Sequence, residues 1–292
     1  MDEMEVTIAG YKQFVALTNY ITIAEKKPEW EQLKKGLPPG TPPPPADVLV
    51  PGALVFHTTQ TKVPLQDFSL WWSCVPGADW KHPEGPQSDV FTTNKFNNHP
   101  ATQLAWLDAE AFANYAFKRL PTEAEWEFAS RGGLKQKEFA WGDGAPSATN
   151  IRANLWEGKF PYKPEVRDGF YLTSPVASYA PNGYGIYDMM GNVWEWCSDW
   201  YRPDTYAKQV AAAAGGVIYD PKGPDDSYDP DEPYAPKRVT RGGSFLCTVE
   251  YCASYRPAAR MKSDPYTGQN HTGFRCVMSD KDWRYLLKKN GK

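Results

Sequence analysis

The chain has 292 residues with 32 Lys and Arg against 35 Asp and Glu, a net charge of −3, which excludes a protein held to nucleic acid by a broad basic surface. Apolar residues at 41% suffice for a core, so wholesale disorder is excluded, and no run of 18 apolar residues offers a membrane-spanning helix. The 23 Gly, 27 Pro and 12 Trp predict short elements and much irregular chain, with amphipathic rings joining the core.

The opening MDEMEVT has no basic region of the kind that starts a secretory signal, so none is expected. Thr7 reads as the N-cap of a helix carrying Ile8, Tyr11, Phe14, Val15 and Thr18 on one face. Residues 37–45 (LPPGTPPPP) cannot be regular structure, because consecutive prolines remove donors and hold the backbone extended. A second amphipathic helix is predicted over 104–117, and Pro121 with the capping box Thr122 to Glu125 opens a third that ends near Ser130. After Gly132 and Gly133 short aromatic strands alternate with Gly, Pro, Asn and Asp turns, and no further long periodic segment is expected before the end. Residues 220–236 form an acidic, Pro-rich loop without the glycine and terminal glutamate of an EF-hand. Residues 281–292 suit a basic helix or tail. The expectation is one α+β domain over 1–292 with low regular secondary structure.

Five cysteines, an odd number, do not make a disulfide scaffold and favour a reducing, cytoplasmic compartment; export would require a trimmed leader. The four histidines show no i, i+4 pair, so a His-ligated zinc or iron site is not expected. No phosphate loop and no Gly-x-Ser-x-Gly elbow occurs. Cys247 and Cys252, five residues apart, could share one soft metal ion such as Cu(I), form one disulfide, or serve as two small apolar side chains. The stretches around Asn154–Leu155, Asp168–Phe170 and Asp188–Glu195 offer side-chain and backbone oxygens of the kind that bind calcium, or ordinary Asx turns.

Four segments then accumulate in order: 118–133 (KRLPTEAEWEFASRGG), 181–201 (PNGYGIYDMMGNVWEWCSDWY), 238–247 (RVTRGGSFLC) and 271–276 (HTGFRC). They closely resemble the sulfatase-modifying-factor family, and 71–86 (WWSCVPGADWKHPEGP) resembles its catalytic branch. The resemblance implies a variant of the C-type lectin fold. The Cys247-x4-Cys252 pair resembles the signature of the formylglycine-generating enzymes, and this implies that both cysteines bind Cu(I) and are catalytic. The implied reaction uses molecular oxygen to oxidise a cysteine in a Cys-x-Pro-x-Arg segment of an unfolded sulfatase to formylglycine. Ser244 and Trp194 match an oxygen pocket, and Tyr251 and Trp72 match the lining of a peptide groove. Two structural calcium ions are implied. One would be held by Asn154, Leu155, Asp168 and Phe170, the other by Asp188, Gly191, Val193 and Glu195.

The expected partners are the unfolded sulfatase chain and oxygen, with no nucleic acid, no membrane and a monomeric state. Thr248 and Ser254 stand where the family often has His and a basic residue, so an altered peptide preference is expected. The position that would pair with Cys276 is Ala113, which implies a buried free thiol. The family's opening strand, with its Pro-Gly-Gly pattern, is not found, so the chain is expected to begin partway into the fold. The competing reading is a non-catalytic member of the same fold, a peptide-binding or surface-associated module. The thiol pair discriminates, because pure binding has no need of it.

Overall fold

A computed structural model describes residues 1–289. Helix α1 spans Ile8–Thr18; the Thr7 hydroxyl caps it by accepting the Gly10 N–H at 3.2 Å, and Ile8, Tyr11 and Phe14 are buried. A single turn, α2, follows at Trp30–Leu33, and the proline-rich 37–45 segment carries no regular element. Strand β1 (Gly52–Phe56) pairs antiparallel with β2 (Trp72–Pro76).

Helix α3 runs Trp106–Tyr115, shorter at both ends than the predicted 104–117. The Asp108 carboxylate takes the Ala105 N–H at 2.9 Å and fixes the start. At the other end Phe117 adopts φ 55°, and the Lys118 N–H turns back to the Ala113 carbonyl at 2.8 Å. Helix α4 (Glu123–Ser130) begins on the predicted reciprocal box, with Glu125 N–H on Thr122 Oγ1 and Thr122 N–H on Glu125 Oε2.

A two-residue ladder joins β3 (Gly158–Lys159) to β4 (Lys163–Pro164). The central element is β5 (Trp194–Trp200), followed by helix α5 (Thr205–Ala213). Helix α5 corrects the expectation of no periodic segment there. Only Thr205 in it is buried, so it has no apolar stripe to find, and its alanine-rich sequence forms helix by intrinsic propensity. Strands β6 (Arg238–Arg241), β7 (Met261–Ser263) and β8 (Thr272–Gly273) complete a four-stranded sheet in the order β7-β6-β5-β8, and α6 (Asp280–Lys289) closes the described chain. Strand β5 is antiparallel to β6 and parallel to β8. The last three residues of the expected tail lie outside the described residues. The 220–236 loop is anchored by Asp229, fully buried and paired with Lys262 Nζ at 2.5 Å.

Tryptophans join these short elements as the composition predicts. Trp196 Nε1 donates to the Leu104 carbonyl at 3.0 Å, Trp106 Nε1 to the Cys197 carbonyl at 2.8 Å, and Trp126 Nε1 to Glu195 Oε2 at 2.7 Å. Each ring buries a large apolar body while its N–H satisfies a carbonyl or carboxylate that no ladder reaches. The main core packs α1 and α3 against Trp196 and Phe274. Cys276 lies fully buried in that core with Ala113, and all five cysteines are free. No helix among the described residues is long and apolar enough to cross a membrane.

Candidate active site

Strand β6 delivers the chain into Gly242 and Gly243, which take φ +95° and +74°. A Cβ at Gly243 would stand 2.8 Å from the Tyr255 backbone, so only glycine lets the two segments approach this closely. The Gly242 carbonyl accepts from Gly191 N–H, and Phe245 N–H donates to the Asn192 carbonyl, both at 2.9 Å. These bonds lace the 242–245 turn to the segment leading into β5, and bring motifs some 50 residues apart in sequence into one place.

Two successive turns then place the thiols. Cys247 N–H donates to the Ser244 carbonyl at 2.9 Å, and Cys252 N–H returns to the Thr248 carbonyl at 2.8 Å. The Cys247 and Cys252 sulfurs are hydrogen-bonded to each other and unbridged. Cys247 is buried and Cys252 is half-buried. Burial pushes the Cys247 thiol up, so it keeps its proton. Donation from Cys247 to the Cys252 sulfur brings the second thiol down to about 7, and Ser254 supports it. Trp194, the first residue of β5, packs in the same cluster as Cys247, Cys252 and Tyr255. The Ser244 hydroxyl lies against the Cys247 sulfur.

Tyr251 and Trp72 stand on an aromatic wall beside this pair. Tyr251 stacks on Phe160 with centroids 4.4 Å apart and meets the Trp71 edge at 5.6 Å. Trp72 packs edge-on against Phe56 at 6.0 Å and against His271 at 4.7 Å. His271 shows no metal-ligand spacing to the other histidines, so its sequence position alone does not mark it as a site residue. Its Nδ1 is 3.2 Å from Ser244 Oγ and its Nε2 is 3.0 Å from Gln269 Oε1. The signal available was its place at the head of the 271–276 motif.

The two candidate calcium sets differ in what they leave free. Asn154 Nδ2 donates to the Leu172 carbonyl at 2.8 Å, which ties it to the loop that carries Asp168 and Phe170. Asn154 Oδ1 is buried with no partner, an orphaned oxygen that a hard cation would satisfy. Asp168 accepts from Phe170 N–H and from Tyr179 OH. In the second set, Gly191 lies against Asn154 and Leu155 of the first, and Asp188 accepts from Ala177 N–H at 2.6 Å. Val193 is buried between them and Glu195, and both Glu195 oxygens are taken, by Arg275 at 2.6 and 2.7 Å and by Trp126. Glu195 is therefore the partner of Arg275 and Trp126, and a cation there would share the carboxylate with them. Among the described residues no three acidic, His or Cys side chains converge on one metal position.

The difference between the two thiols is directly measurable. In the protein without metal, alkylation of Cys252 is expected to follow a thiolate that forms with a midpoint near pH 7, with Cys247 protected. A single Cys252 midpoint at about 8.5, the ordinary thiol value, would show that the sulfur–sulfur contact is absent.

The class is then defined: a loop-rich α+β domain whose glycine turn presents one buried and one half-buried thiol beside an aromatic wall. Residues 1–280 match the sulfatase-modifying factor enzyme 1-like domain, and the chain belongs to that family. It is 42% identical over 277 residues to the formylglycine-generating enzyme of Thermomonospora curvata, covering 95% of this chain and 80% of that protein. It is 41% identical over 272 residues to the enzyme of the same name from Mycobacterium tuberculosis, covering 93% and 84%. It is also similar to a mouse protein named inactive C-alpha-formylglycine-generating enzyme 2, at 37% identity over 72% of this chain and 58% of that one. Among solved structures it is similar to CarF, with a TM-score of 0.49 and 20% identity over 94% of this chain and 83% of that one.

Proposed function

We propose that the protein is a copper-dependent oxidase that uses molecular oxygen to convert a cysteine, in a Cys-x-Pro-x-Arg segment of an unfolded sulfatase, into formylglycine. The observation that carries the reading is the thiol pair: two unbridged cysteines in contact, one sealed and one reachable, beside Trp194 and Ser244. The names of the two bacterial relatives support the same substrate class. A soft two-thiolate donor set fits Cu(I) better than any hard cation. Cys247 and Cys252 would hold that ion, which when bound supplies the one-electron chemistry with oxygen.

The chain's own residues supply the rest. Tyr251 and Trp72, with the buried Phe160 stacked behind Tyr251, give an apolar surface for an extended peptide. The two turns preset the distance between the sulfurs, so little ordering entropy remains when a third soft ligand, the substrate thiolate, arrives. Thiolate ligation releases protons, and copper loading should therefore weaken as pH falls. Trp194 and the glycine turn shield the buried side of the pair from water.

Incubation with Cu(I), oxygen and a Cys-x-Pro-x-Arg peptide should give the mass loss of a CH2SH group replaced by an aldehyde. Peptide binding without conversion would favour the non-catalytic module instead.

Calcium is proposed at the Asn154 set, where the orphaned oxygen sits, with Leu155 and Phe170 carbonyls and Asp168 as the other donors. A ligand that binds only the native state at 100 times its Kd adds about 2.7 kcal/mol. Chelation should therefore lower the melting temperature of the wild type, and Asn154→Ala should abolish that response. An equal response in the variant would place the calcium elsewhere.

A further inference from the structure

We propose that His271 is a positioning residue that holds the Ser244 hydroxyl through Nδ1, with its own tautomer set by Gln269. The inference rests on the oxidase reading, and it adds two residues to which the family resemblance gives no role.

The geometry is closed at every step. His271 immediately precedes β8, and its carbonyl accepts from Trp194 N–H at 2.9 Å, so its backbone is fixed to the start of β5. The ring is half-buried, and Trp72 packs edge-on against it at 4.7 Å. Gln269 Oε1 lies 3.0 Å from His271 Nε2 and 3.1 Å from Thr272 Oγ1. An amide oxygen only accepts, so Nε2 carries the ring hydrogen and Nδ1 is left bare. Ser244 Oγ, 3.2 Å away, then donates its hydrogen to Nδ1. One oxygen lone pair takes the Leu246 N–H at 3.2 Å. The hydroxyl hydrogen and one lone pair of Ser244 are thereby committed to His271 and Leu246. The serine hydroxyl is held in one orientation beside Cys247. Burial keeps the imidazole pKa down at about 3, so the ring stays an acceptor throughout the working range.

The first test needs no substrate. In protein with 15N-labelled histidine, the His271 ring should show a protonated Nε2 and a bare Nδ1 at neutral pH. Ser244→Ala should shift the Nδ1 resonance, and Gln269→Leu should let the hydrogen move to Nδ1. An imidazolium, an Nδ1–H tautomer in the wild type, or an Nδ1 signal indifferent to Ser244→Ala would overturn the proposal.

The second test is kinetic. His271→Phe keeps an aromatic face for Trp72 but cannot accept from Ser244. It should lower kcat about tenfold, the scale of one lost hydrogen bond, with KM within about twofold of wild type. His271→Asn, whose side-chain oxygen can reach the place of Nδ1, should recover most of kcat. Equal losses in both variants, or losses that follow their melting temperatures, would mean a packing role only. If no variant and no wild type makes formylglycine, the oxidase reading has failed, and the resonance test still decides the placement of the proton.

Discussion

Replacing either Cys247 or Cys252 by serine is expected to abolish formylglycine formation, and the double variant should be no worse than either single one. Residues that act as a unit lose their joint effect when one is removed, so the losses do not add. A hydroxyl oxygen is a hard, weakly acidic donor, and neither variant keeps the soft pair that Cu(I) requires. In competition with a Cu(I) chelator, each variant should yield its copper at a chelator concentration that leaves the wild type loaded. The two substitutions should differ in stability. Cys247 is buried, and a serine there replaces a weakly polar sulfur by a hydroxyl whose desolvation costs about 1–3 kcal/mol. Cys252 is half-buried and retains water contact, so its serine variant should melt close to wild type. Cys252→Ser is therefore the cleaner probe. If it converts peptide at the wild-type rate, the thiol pair is not the reactive centre.

What the sequence revealed, and what it hid, follows from whether a signal is local. The capping boxes and the α1 stripe are local, and Thr7, Thr122 and Glu125 make the bonds their spacing predicts. The proline run forbids regular structure by its own chemistry, and none forms. The low content of regular structure was legible in the glycine, proline and tryptophan counts, since indole N–H groups here do work that ladders do elsewhere. Helix α5 was hidden because nothing in it faces a core. At the site, Cys247, Cys252, Ser244 and Trp194 were selected by motif, but their convergence depends on the bonds between the Gly242 turn and the Gly191 segment, which no local pattern records. The tie between His271 and Ser244 spans 27 positions and joins residues that have no characteristic spacing. The engagement of Glu195 with Arg275 spans 80, and it sets an ion pair on a carboxylate that the motif offered as a ligand.

That last pairing gives the largest expected effect on stability. Arg275 is fully buried and grips Glu195 with two parallel bonds, Nη2 to Oε1 at 2.6 Å and Nε to Oε2 at 2.7 Å. It also donates to the Tyr187 carbonyl at 2.9 Å and to the Glu3 carbonyl at 3.2 Å, so one guanidinium ties the chain start and the 187 turn to β5. Glu5 and Asp188 lie close enough to feel it, and three buried carboxyls thus share one positive charge. Burial is the main reason that the Glu5 and Asp188 carboxyls are raised, and Arg275 pulls both back down. Arg275→Met keeps the volume and removes the charge, leaving carboxylates uncompensated in the interior. The expected cost is about 3–5 kcal/mol at neutral pH. The pH dependence has a definite sign. An acid whose folded value is raised keeps a proton that the unfolded chain releases above about 4.3 for glutamate. Each such group therefore removes stability as pH rises from there through its folded value. The variant, with the Glu5 and Asp188 values raised further, should lose stability on raising the pH more steeply than wild type and recover part of it on acidification. Glu5→Gln removes one of the acidic groups and keeps an amide oxygen to accept from Asn192 Nδ2, as Glu5 Oε1 does at 3.1 Å, so that change should restore part of the Arg275→Met loss at neutral pH. Urea unfolding of the four proteins across that range measures all three effects. An Arg275→Met protein within about 1 kcal/mol of wild type at neutral pH would show that the grip on Glu195 is an ordinary contact, since a buried charge left unpaired costs several times that.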